Sequence, residues 1–324
     1  MISHGQTRTP NQKLLRGGQG GGFLEKSPLA AEAERRFNMK IAVIGADGQL
    51  GTDICEVLEK NHHAVIGLTI EHIEVSDIDS VSRVLKESSP QMVINTAAFH
   101  DLEKCEDEPV KAFEVNALGA RNAALVCNDI DAVLMHISTD YVFDGKKRVP
   151  YIETDKPMPL NVYANSKLSG EHFVEAIAKK FYILRVSGIY GKAPCIGKKG
   201  MNFVRLMLKL SRERDEVRVV DNEVLTPTST VEIANQIVKI IDSNTPFGLY
   251  HATAEGSCSW YEFAKEIFDI TKPNIKFNKA APGEFAVKVN RPEYSVLENK
   301  GLKDQGINIM RDWREGLRNF LASL

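Results

Sequence analysis

Short apolar runs and helix-like periodic stretches alternate along the first half of the chain. Four apolar runs predict buried strands, at 40–44, 64–69, 92–98 and 132–138. Between them, apolar side chains recur every three or four residues, which predicts helices at 49–61, 78–88 and 109–128. Strands that alternate with helices form right-handed βαβ units, and such units build a parallel sheet. The pattern therefore predicts an α/β fold with a Rossmann-type, doubly wound parallel sheet.

The second half of the chain contains less regular elements and predicts a smaller, discontinuous C-terminal domain. Helices are expected at 201–214, 230–243 and 312–324, and strands at 217–220 and 248–252. We assign residues 39–188 to the sheet domain, with returning segments near 224–252. Residues 189–223 and 253–324 would form a substrate-binding domain that covers a ligand on the sheet.

Composition narrows the class of protein. The 324 residues carry a formal net charge of −2 and are 43% hydrophobic, which gives no support for a nucleic-acid or membrane partner. No apolar run approaches the ~20 residues of a membrane-spanning helix. The five cysteines are scattered and show no C-x-x-C spacing, which indicates reduced thiols in a cytoplasmic protein. No His, Cys and carboxylate cluster has zinc-ligand spacing, so we expect no metal site.

Residues 1–38 differ from the rest of the chain. They contain a glycine-rich stretch at 16–22 and no apolar periodicity. They lack the apolar core of a secretory signal. We interpret them as a disordered tail or leader before Met39. A transit peptide is the alternative, against which the glutamates and glycines argue.

A glycine-rich turn, GADGQLG at 45–51, joins the first predicted strand to the first predicted helix. A helix N-terminus offers unpaired N–H groups and a partial positive charge, so it can hold a pyrophosphate. Gly45 and Gly48 can form the tight turn, and Gly51 lets the helix pack close to the strand. The spacing is G-x-x-G-x-x-G, and not the commoner G-x-G-x-x-G. By itself the turn favours nucleotide binding. The alternative is a glycine-rich connection between strand and helix that binds no nucleotide.

The end of the second strand bears on the choice between NADH and NADPH. A carboxylate there would bind the ribose 2′-hydroxyl, and a basic group would favour a 2′-phosphate. The chain has Thr69 at this point, followed by Glu74 and Val75, and no Lys or Arg before Arg83. We expect Thr69, Glu74 and Val75 to border the cofactor. Both cofactors stay open, because Thr69 is neither acidic nor basic.

The candidate chemistry lies after the strand at 132–138. Tyr163 and Lys167 share one face of a helix, one turn apart, and the Thr139 hydroxyl leaves the strand end. A nearby ammonium favours the phenolate, so we expect Lys167 to lower the pKa of Tyr163 for acid–base catalysis. Tyr261 and Lys265 have the same spacing in an amphipathic stretch, and we interpret that pair as packing and a solvated lysine.

Four segments in this order, GADGQLG, INTAA, STDYVFDG and YANSK, resemble the dTDP-4-dehydrorhamnose reductase family of extended short-chain dehydrogenases/reductases. The resemblance runs from about residue 39 to the C-terminus. It implies that Tyr163 is the proton donor with Lys167 as its partner, and that Thr139 and Asp140 contact the substrate. It also implies that two runs line the cofactor: Gly48, Gln49 and Leu50, and Thr96, Ala97 and Ala98.

The implied activity is the NADPH- or NADH-dependent reduction of the C4 ketone of a nucleotide-activated deoxysugar, namely dTDP-4-dehydro-L-rhamnose to dTDP-L-rhamnose. A homodimer is considered, although the sequence does not fix the oligomeric state. Dehydration is disfavoured, because Tyr141 occupies the position where dehydratases carry a second carboxylate. Two alternatives stay open: a related epimerase, and a non-catalytic NAD(P)-binding subunit like the β subunit of methionine adenosyltransferase.

One position departs from the family pattern. Where the family typically has Trp against the sugar, this chain has Gly188, so we expect the sugar pocket to differ in shape. Tyr190 is expected to replace part of that aromatic wall. Arg291 is a candidate for a phosphate or sugar contact, because its guanidinium binds in a bidentate manner. We interpret His251 as a structural residue at a strand end.

Overall fold

The computed structural model describes residues 38–195, 200–281, 283–285 and 288–324. Apart from Asn38, the tail predicted at 1–38 lies outside these residues. Within the described ranges, no helix is both long enough and apolar enough to cross a membrane.

The helices and strands follow the predicted alternation in the first half of the chain. The strands are β1 (Lys40–Ile44), β2 (Ala64–Leu68), β3 (Met92–Asn95), β4 (Val133–Thr139), β5 (Phe181–Val186), β6 (Ile189–Tyr190), β7 (Glu216–Val219), β8 (Val224–Leu225), β9 (Thr228–Ser229), β10 (Gly248–His251), β11 (Cys258–Ser259) and β12 (Lys276–Lys279). The α-helices are α1 (Gln49–Lys60), α2 (Ile78–Ser88), α3 (Leu102–Asp107), α4 (Pro109–Phe113), α5 (Gly119–Asp129), α6 (Val162–Ile177), α7 (Phe203–Glu213), α8 (Thr230–Asp242), α9 (Trp260–Thr271), α10 (Lys300–Asp304) and α11 (Trp313–Ala322).

A six-stranded parallel sheet forms the centre of the described structure, in the order β2-β1-β3-β4-β5-β10. The chain lays β2 on one side of β1 and β3 on the other. A crevice therefore opens between β1 and β3 at the carboxyl ends of the strands, where ligands bind in such sheets. This confirms the predicted Rossmann-type α/β fold.

Helices cover both faces of this sheet because β1 is apolar on both sides. Ile41 and Val43 point to the face covered by α1 and α8, and Ala42 and Ile44 to the face covered by α2, α5 and α6. A strand buried on both faces reads as a continuous apolar run, which is why the sequence pattern located β1.

A second apolar core lies in the C-terminal half. It is built around Trp313, Phe263 and Tyr190 and joins α7, α9 and α11 with the short sheets. Part of the C-terminal segment also contributes to the core of the large sheet. Leu302 and Met310, assigned to the second domain, pack in the core of the large sheet, because α10 lies against β10.

The long helix predicted at 109–128 is interrupted. A π-helical turn, Glu114–Leu118, separates α4 from α5. Strand β5 was not predicted. In β5 the buried Arg185 interrupts the apolar pattern, and its two hydrogen bonds to the buried Glu171 carboxylate compensate for the burial of its charge.

Candidate functional site

The glycine turn has the geometry of an anion-binding helix start. Gly45 has a φ of +82°, and a Cβ there would lie 2.7 Å from Thr96 Oγ1. A Cβ on Gly51 would lie 2.0 Å from the Gly45 carbonyl oxygen, so only glycine lets α1 approach β1 this closely. The N-cap residue Gly48 provides no side-chain cap, which leaves the first N–H groups of α1 open to a phosphate. These observations fit a dinucleotide pyrophosphate.

The other predicted cofactor residues surround this turn. Thr96 donates a hydrogen bond to the Ile44 carbonyl at 2.7 Å, and Ala97 N–H donates to Asn95 at 3.1 Å. The Gln49 side-chain oxygen accepts hydrogen bonds from Gly191 N and Asn202 Nδ2. That link ties the start of α1 to the C-terminal half.

The end of β2 carries neither of the groups that decide between the two cofactors. The Thr69 hydroxyl lies 2.9 Å from His72 Nδ1. The Glu74 carboxylate accepts hydrogen bonds from the backbone and hydroxyl of Ser76, and Val75 is buried beneath Gly119. The structure therefore leaves NADH and NADPH both open.

The Lys167 side chain is fixed by contacts in the protein interior. Its side chain is buried and its Nζ donates a 2.6 Å hydrogen bond to the Ile137 carbonyl of β4. Nζ also lies 3.4 Å from Nε2 of the buried His136. Burial lowers the pKa of Lys167 to about 8, with a smaller opposing effect from Glu171.

Tyr163 faces the end of β4. Its phenol is within hydrogen-bonding reach of the Thr139 hydroxyl, and its ring contacts Tyr141 edge-on, with 6.2 Å between the ring centroids. Burial raises the pKa of Tyr163, the hydrogen bond from Thr139 opposes this, and the charge of Asp140 adds to it. The expected lowering of this pKa by Lys167 is therefore wrong for this arrangement, because the ammonium is directed at Ile137.

Asp140 does not point into an open cleft. Its carboxylate is 3% exposed and accepts hydrogen bonds from three hydroxyls, those of Thr139, Ser187 and Ser295. Burial raises its pKa to about 6, and the three hydroxyls limit the rise. Both carboxylate oxygens are thus engaged by the protein.

Tyr190 does not form part of this group. It is 1% exposed and packs on Phe263 and Phe320 in the second core. The predicted aromatic replacement for a tryptophan is therefore a core residue, because apolar side chains enclose its ring. Gly188 has a φ of +53°, and a Cβ there would lie 2.7 Å from Leu225 Cδ1, so a larger side chain does not fit this backbone.

Arg291 is exposed and its charge acts on Tyr141, whose pKa is raised mainly by burial. The chain next to it is fastened at two points: Asn290 accepts a hydrogen bond from Asn161, and Ser295 donates to Asp140. Arg291 thus lies on the same side as the Tyr141–Tyr163 pair. His251 is fully buried at the end of β10, in agreement with its structural interpretation.

Two residues that support the site, Asn116 and Asn161, were missed by sequence reasoning. Asn116, in the π-helical turn, exchanges two hydrogen bonds with the Phe99 backbone and donates to Ser166 in α6. Asn161 caps α6 by accepting from Ala164 N–H. Asn116 could have been found as a polar residue on an otherwise apolar helix face. Asn161 could have been found because Asn is a favoured N-cap residue and stands directly before the predicted helix.

Thr139, Tyr163 and Lys167 thus meet at the carboxyl end of β4, beside the crevice that begins at the glycine turn. No group of three or more His, Cys, Asp or Glu side chains that could hold a metal ion occurs among the described residues. The fold and this site define an extended short-chain dehydrogenase/reductase with a Rossmann-type sheet.

The family model of the RmlD substrate binding domain matches residues 39–324. The chain belongs to the dTDP-4-dehydrorhamnose reductase family. It is 38% identical over 282 residues to the spore coat polysaccharide biosynthesis protein SpsK of Bacillus subtilis, which is 87% of this chain and 96% of that protein.

Two solved structures are similar to it. A dTDP-4-dehydrorhamnose reductase from Clostridium acetobutylicum has a TM-score of 0.84 at 38% identity, covering 88% of this chain and 99% of that one. A dTDP-4-dehydrorhamnose reductase from Bacillus anthracis, in complex with NADP, has a TM-score of 0.84 at 34% identity, covering 89% and 100%.

Proposed function

We propose that this chain reduces the C4 ketone of a nucleotide-activated deoxysugar with NADPH or NADH, converting dTDP-4-dehydro-L-rhamnose to dTDP-L-rhamnose. The observation that carries the proposal is the meeting of Tyr163 with Thr139, with Lys167 one helix turn away. The names of the relatives support the substrate, and the NADP complex of the Bacillus anthracis reductase supports the cofactor.

The cofactor residues of this proposal lie around the crevice. Gly45, Gly48 and Gly51 would let the backbone and the start of α1 receive the pyrophosphate. The remaining contacts would come from the ends of the first three strands and the start of α1: Gln49, Leu50, Thr69, Glu74, Val75, Thr96, Ala97 and Ala98. Tyr163 and Lys167 would reach the ribose next to the nicotinamide.

The chain's own groups supply the proton chemistry. When bound, the reduced nicotinamide provides the hydride that reduces the ketone. Tyr163 donates its proton to the alkoxide oxygen that develops at C4, which gives the alcohol. Thr139 holds the sugar oxygen beside the phenol.

The sugar nucleotide would lie between the two cores. We propose that residues 39–188, with returning parts of 224–252, bind the cofactor and that 189–223 and 253–324 bind the sugar nucleotide. Arg291 would contact its phosphate or sugar. We leave Tyr190 out of the substrate contacts because of its burial.

A direct assay tests the proposed activity. Purified protein is mixed with NADPH or NADH and dTDP-4-dehydro-L-rhamnose, and the absorbance of the reduced cofactor is followed. We expect oxidation that depends on the sugar nucleotide, and the rates with NADH and NADPH give the cofactor preference. Cofactor binding without oxidation would instead support a regulatory subunit.

Location and assembly are finer parts of the same proposal. We propose a cytoplasmic enzyme, supported by the thiols of Cys105, Cys127 and Cys258. We also propose a homodimer. Light scattering should then give twice the chain mass of 36.0 kDa, and a mass equal to one chain would contradict the dimer.

A further inference from the structure

The buried side chain of His136 lies between Asn95 and Lys167. His136 is 1% exposed on β4, and its register partner on β3 is Asn95. Its Nδ1 lies 3.4 Å from Asn95 Nδ2, and its Nε2 lies 3.4 Å from Lys167 Nζ. Asn95 Oδ1 accepts a 3.1 Å hydrogen bond from Ala97 N–H, just after the end of β3. These contacts form one row that runs from the crevice to Lys167.

The backbone fixes the orientation of the Asn95 amide. A backbone N–H can only donate, so the atom of Asn95 that faces Ala97 is the carbonyl oxygen. Asn95 Nδ2 then presents an N–H donor to His136 Nδ1. His136 is neutral, because burial and the charge of Lys167 lower its pKa well below the usual value. A neutral imidazole accepts at Nδ1 only when its single proton is on Nε2, so His136 carries its proton there.

The position of this proton decides which form of Lys167 fits the row. An ammonium has three protons and no lone pair, so it would bring a second donor to His136 Nε2–H. A neutral amine has one lone pair, which can accept from Nε2–H. It also keeps a proton for the 2.6 Å hydrogen bond from Nζ to the Ile137 carbonyl. The amine therefore satisfies every contact of the row, and the ammonium does not.

The close packing of α6 on β4 makes this contact possible. Gly170 follows Lys167 by three residues on α6. A Cβ at Gly170 would lie 2.4 Å from the Asn116 carbonyl oxygen and 3.4 Å from His136 Nε2. A side chain at this position would push α6 outward, so the glycine brings Lys167 within reach of His136.

We propose that Asn95 and His136 are positioning residues that favour the neutral amine form of Lys167. They act through the direction of their hydrogen bonds, which starts at the fixed N–H of Ala97. The catalytic meaning of this control rests on the function proposed above, in which Lys167 is the partner of Tyr163. The hydrogen-bond direction itself does not depend on that function.

The other ionisable groups around Lys167 have smaller or opposite effects. Burial lowers the pKa of Lys167 to about 8, and the charge of Glu171 opposes this. The Glu171 carboxylate is itself engaged by two hydrogen bonds from Arg185. Burial raises the pKa of Tyr163, so its phenol adds no charge. The row from Ala97 to His136 therefore acts in the same direction as burial.

The first test locates the His136 proton by NMR. Long-range proton–nitrogen correlation spectra of the isotope-labelled full-length protein distinguish the two imidazole tautomers once the ring resonances are assigned. At pH 9 we expect the Nε2–H form of His136. The Nδ1–H form overturns the proposal. This measurement needs no turnover, so it decides the inference even if the reductase assay shows no activity.

The second test measures the pKa of Lys167 from the chemical shift of its labelled Cε. Asn95→Leu removes the donor to His136 Nδ1, so Nε2 becomes free to offer a lone pair to the ammonium. We expect the pKa of Lys167 to rise by about one unit, a tenfold gain in proton affinity, as for one hydrogen bond. Asn122→Leu is the matched control, because Asn122 is buried on α5 and donates to the Val75 carbonyl. It should leave the pKa of Lys167 unchanged.

Asn95→Asp covers the case in which Asn95→Leu does not fold. One carboxylate oxygen keeps the contact with Ala97 N–H, and the other accepts from His136, so the imidazole proton moves to Nδ1. We expect this tautomer together with a raised pKa of Lys167. The added charge alone would raise the pKa without moving the proton, and that outcome overturns the proposal. An unchanged pKa of Lys167 in the folded Asn95 variant, or an equal shift in Asn122→Leu, overturns it as well.

Discussion

Tyr163 and Tyr261 have lysines at the same spacing but different surroundings. Tyr163 reaches the Thr139 hydroxyl, and its lysine is buried against β4. Tyr261 stacks on Phe277 with 4.7 Å between ring centroids, and Lys265 forms an exposed ion pair with Asp269. The chemistry of a Tyr-x-x-x-Lys pair is thus decided by what each side chain contacts.

Replacing Tyr163 with Phe should abolish reduction and leave cofactor affinity nearly unchanged. Only the hydroxyl that donates the proton is lost, and general acid catalysis of this kind contributes about 10²–10⁴-fold to the rate. Cofactor oxidation gives the rate, and calorimetric titration with NADPH gives the affinity. Tyr261→Phe is the matched control and should keep full activity. Full activity of Tyr163→Phe would contradict the proposed mechanism.

At the scale of elements, α6 carries both Tyr163 and Lys167, so its start sets the positions of both. Asn161 accepts from Ala164 N–H at 2.8 Å and donates to the Asn290 carbonyl at 2.9 Å. Glu106 accepts from Val162 N–H at 2.9 Å. The helix is thus fixed to both halves of the chain at its first turn.

Asn161→Ala should cost about 1 kcal/mol in the free energy of unfolding, as for other N-caps. It should also lower kcat roughly tenfold or more, since small displacements of catalytic groups are costly. Asp77→Ala is the control, because Asp77 caps α2 by accepting from Asp79 N–H at 3.0 Å, away from Tyr163. Urea unfolding and steady-state rates separate the two effects. An equal loss of kcat in both variants would argue against a role in positioning.

The contact between the glycine turn and α1 is equally sensitive. Gly51→Ala would place a Cβ 2.0 Å from the Gly45 carbonyl oxygen, so α1 must shift. We expect a loss of about 1–3 kcal/mol in unfolding free energy, typical of overpacking, and weaker NADPH binding. In the control Gly67→Ala the nearest atom would be the Ala46 Cβ at 3.2 Å, and the loss should be smaller. Native-like stability and affinity of Gly51→Ala would contradict this packing.

For the whole molecule, buried histidines make the fold sensitive to acid. Burial lowers the pKa of His251 to about 3, with the charge of Arg185 adding to the effect, and burial also lowers that of His136. The unfolded chain takes up these protons near pH 6.5, and the folded protein does so only at lower pH. Since the unfolded state binds more protons in this window, stability falls as the pH decreases below about 6.5. Asp140 opposes part of this, because its raised pKa lets the folded state hold a proton below about pH 6.

His251→Gln should reduce this pH dependence by about one proton, or roughly 1.4 kcal/mol per pH unit, between pH 6 and 4. Urea unfolding at a series of pH values measures the slope. His172→Gln, at an exposed position of α6, is the control and should keep the wild-type slope. An unchanged slope in His251→Gln would show that its protonation does not contribute.

The sequence by itself determined the features that are local along the chain. The strand and helix order follows from apolar periodicity, the turn from three glycines within seven residues, and the Tyr163–Lys167 pair from a spacing of one helix turn. Each of these features depends on a short stretch of sequence, in which backbone geometry allows few alternative conformations.

Only the tertiary structure decided the surroundings of these residues. Asp140 lies 47 residues from Ser187 and 155 from Ser295, so no local pattern reveals that its carboxylate is enclosed. Tyr190 was predicted as a substrate contact and is a core residue, because α9 and α11 close over it. Burial and long-range hydrogen bonds also set the pKa of Tyr163, Lys167 and Asp140. They depend on which distant segments meet, and periodicity along the chain does not contain that information.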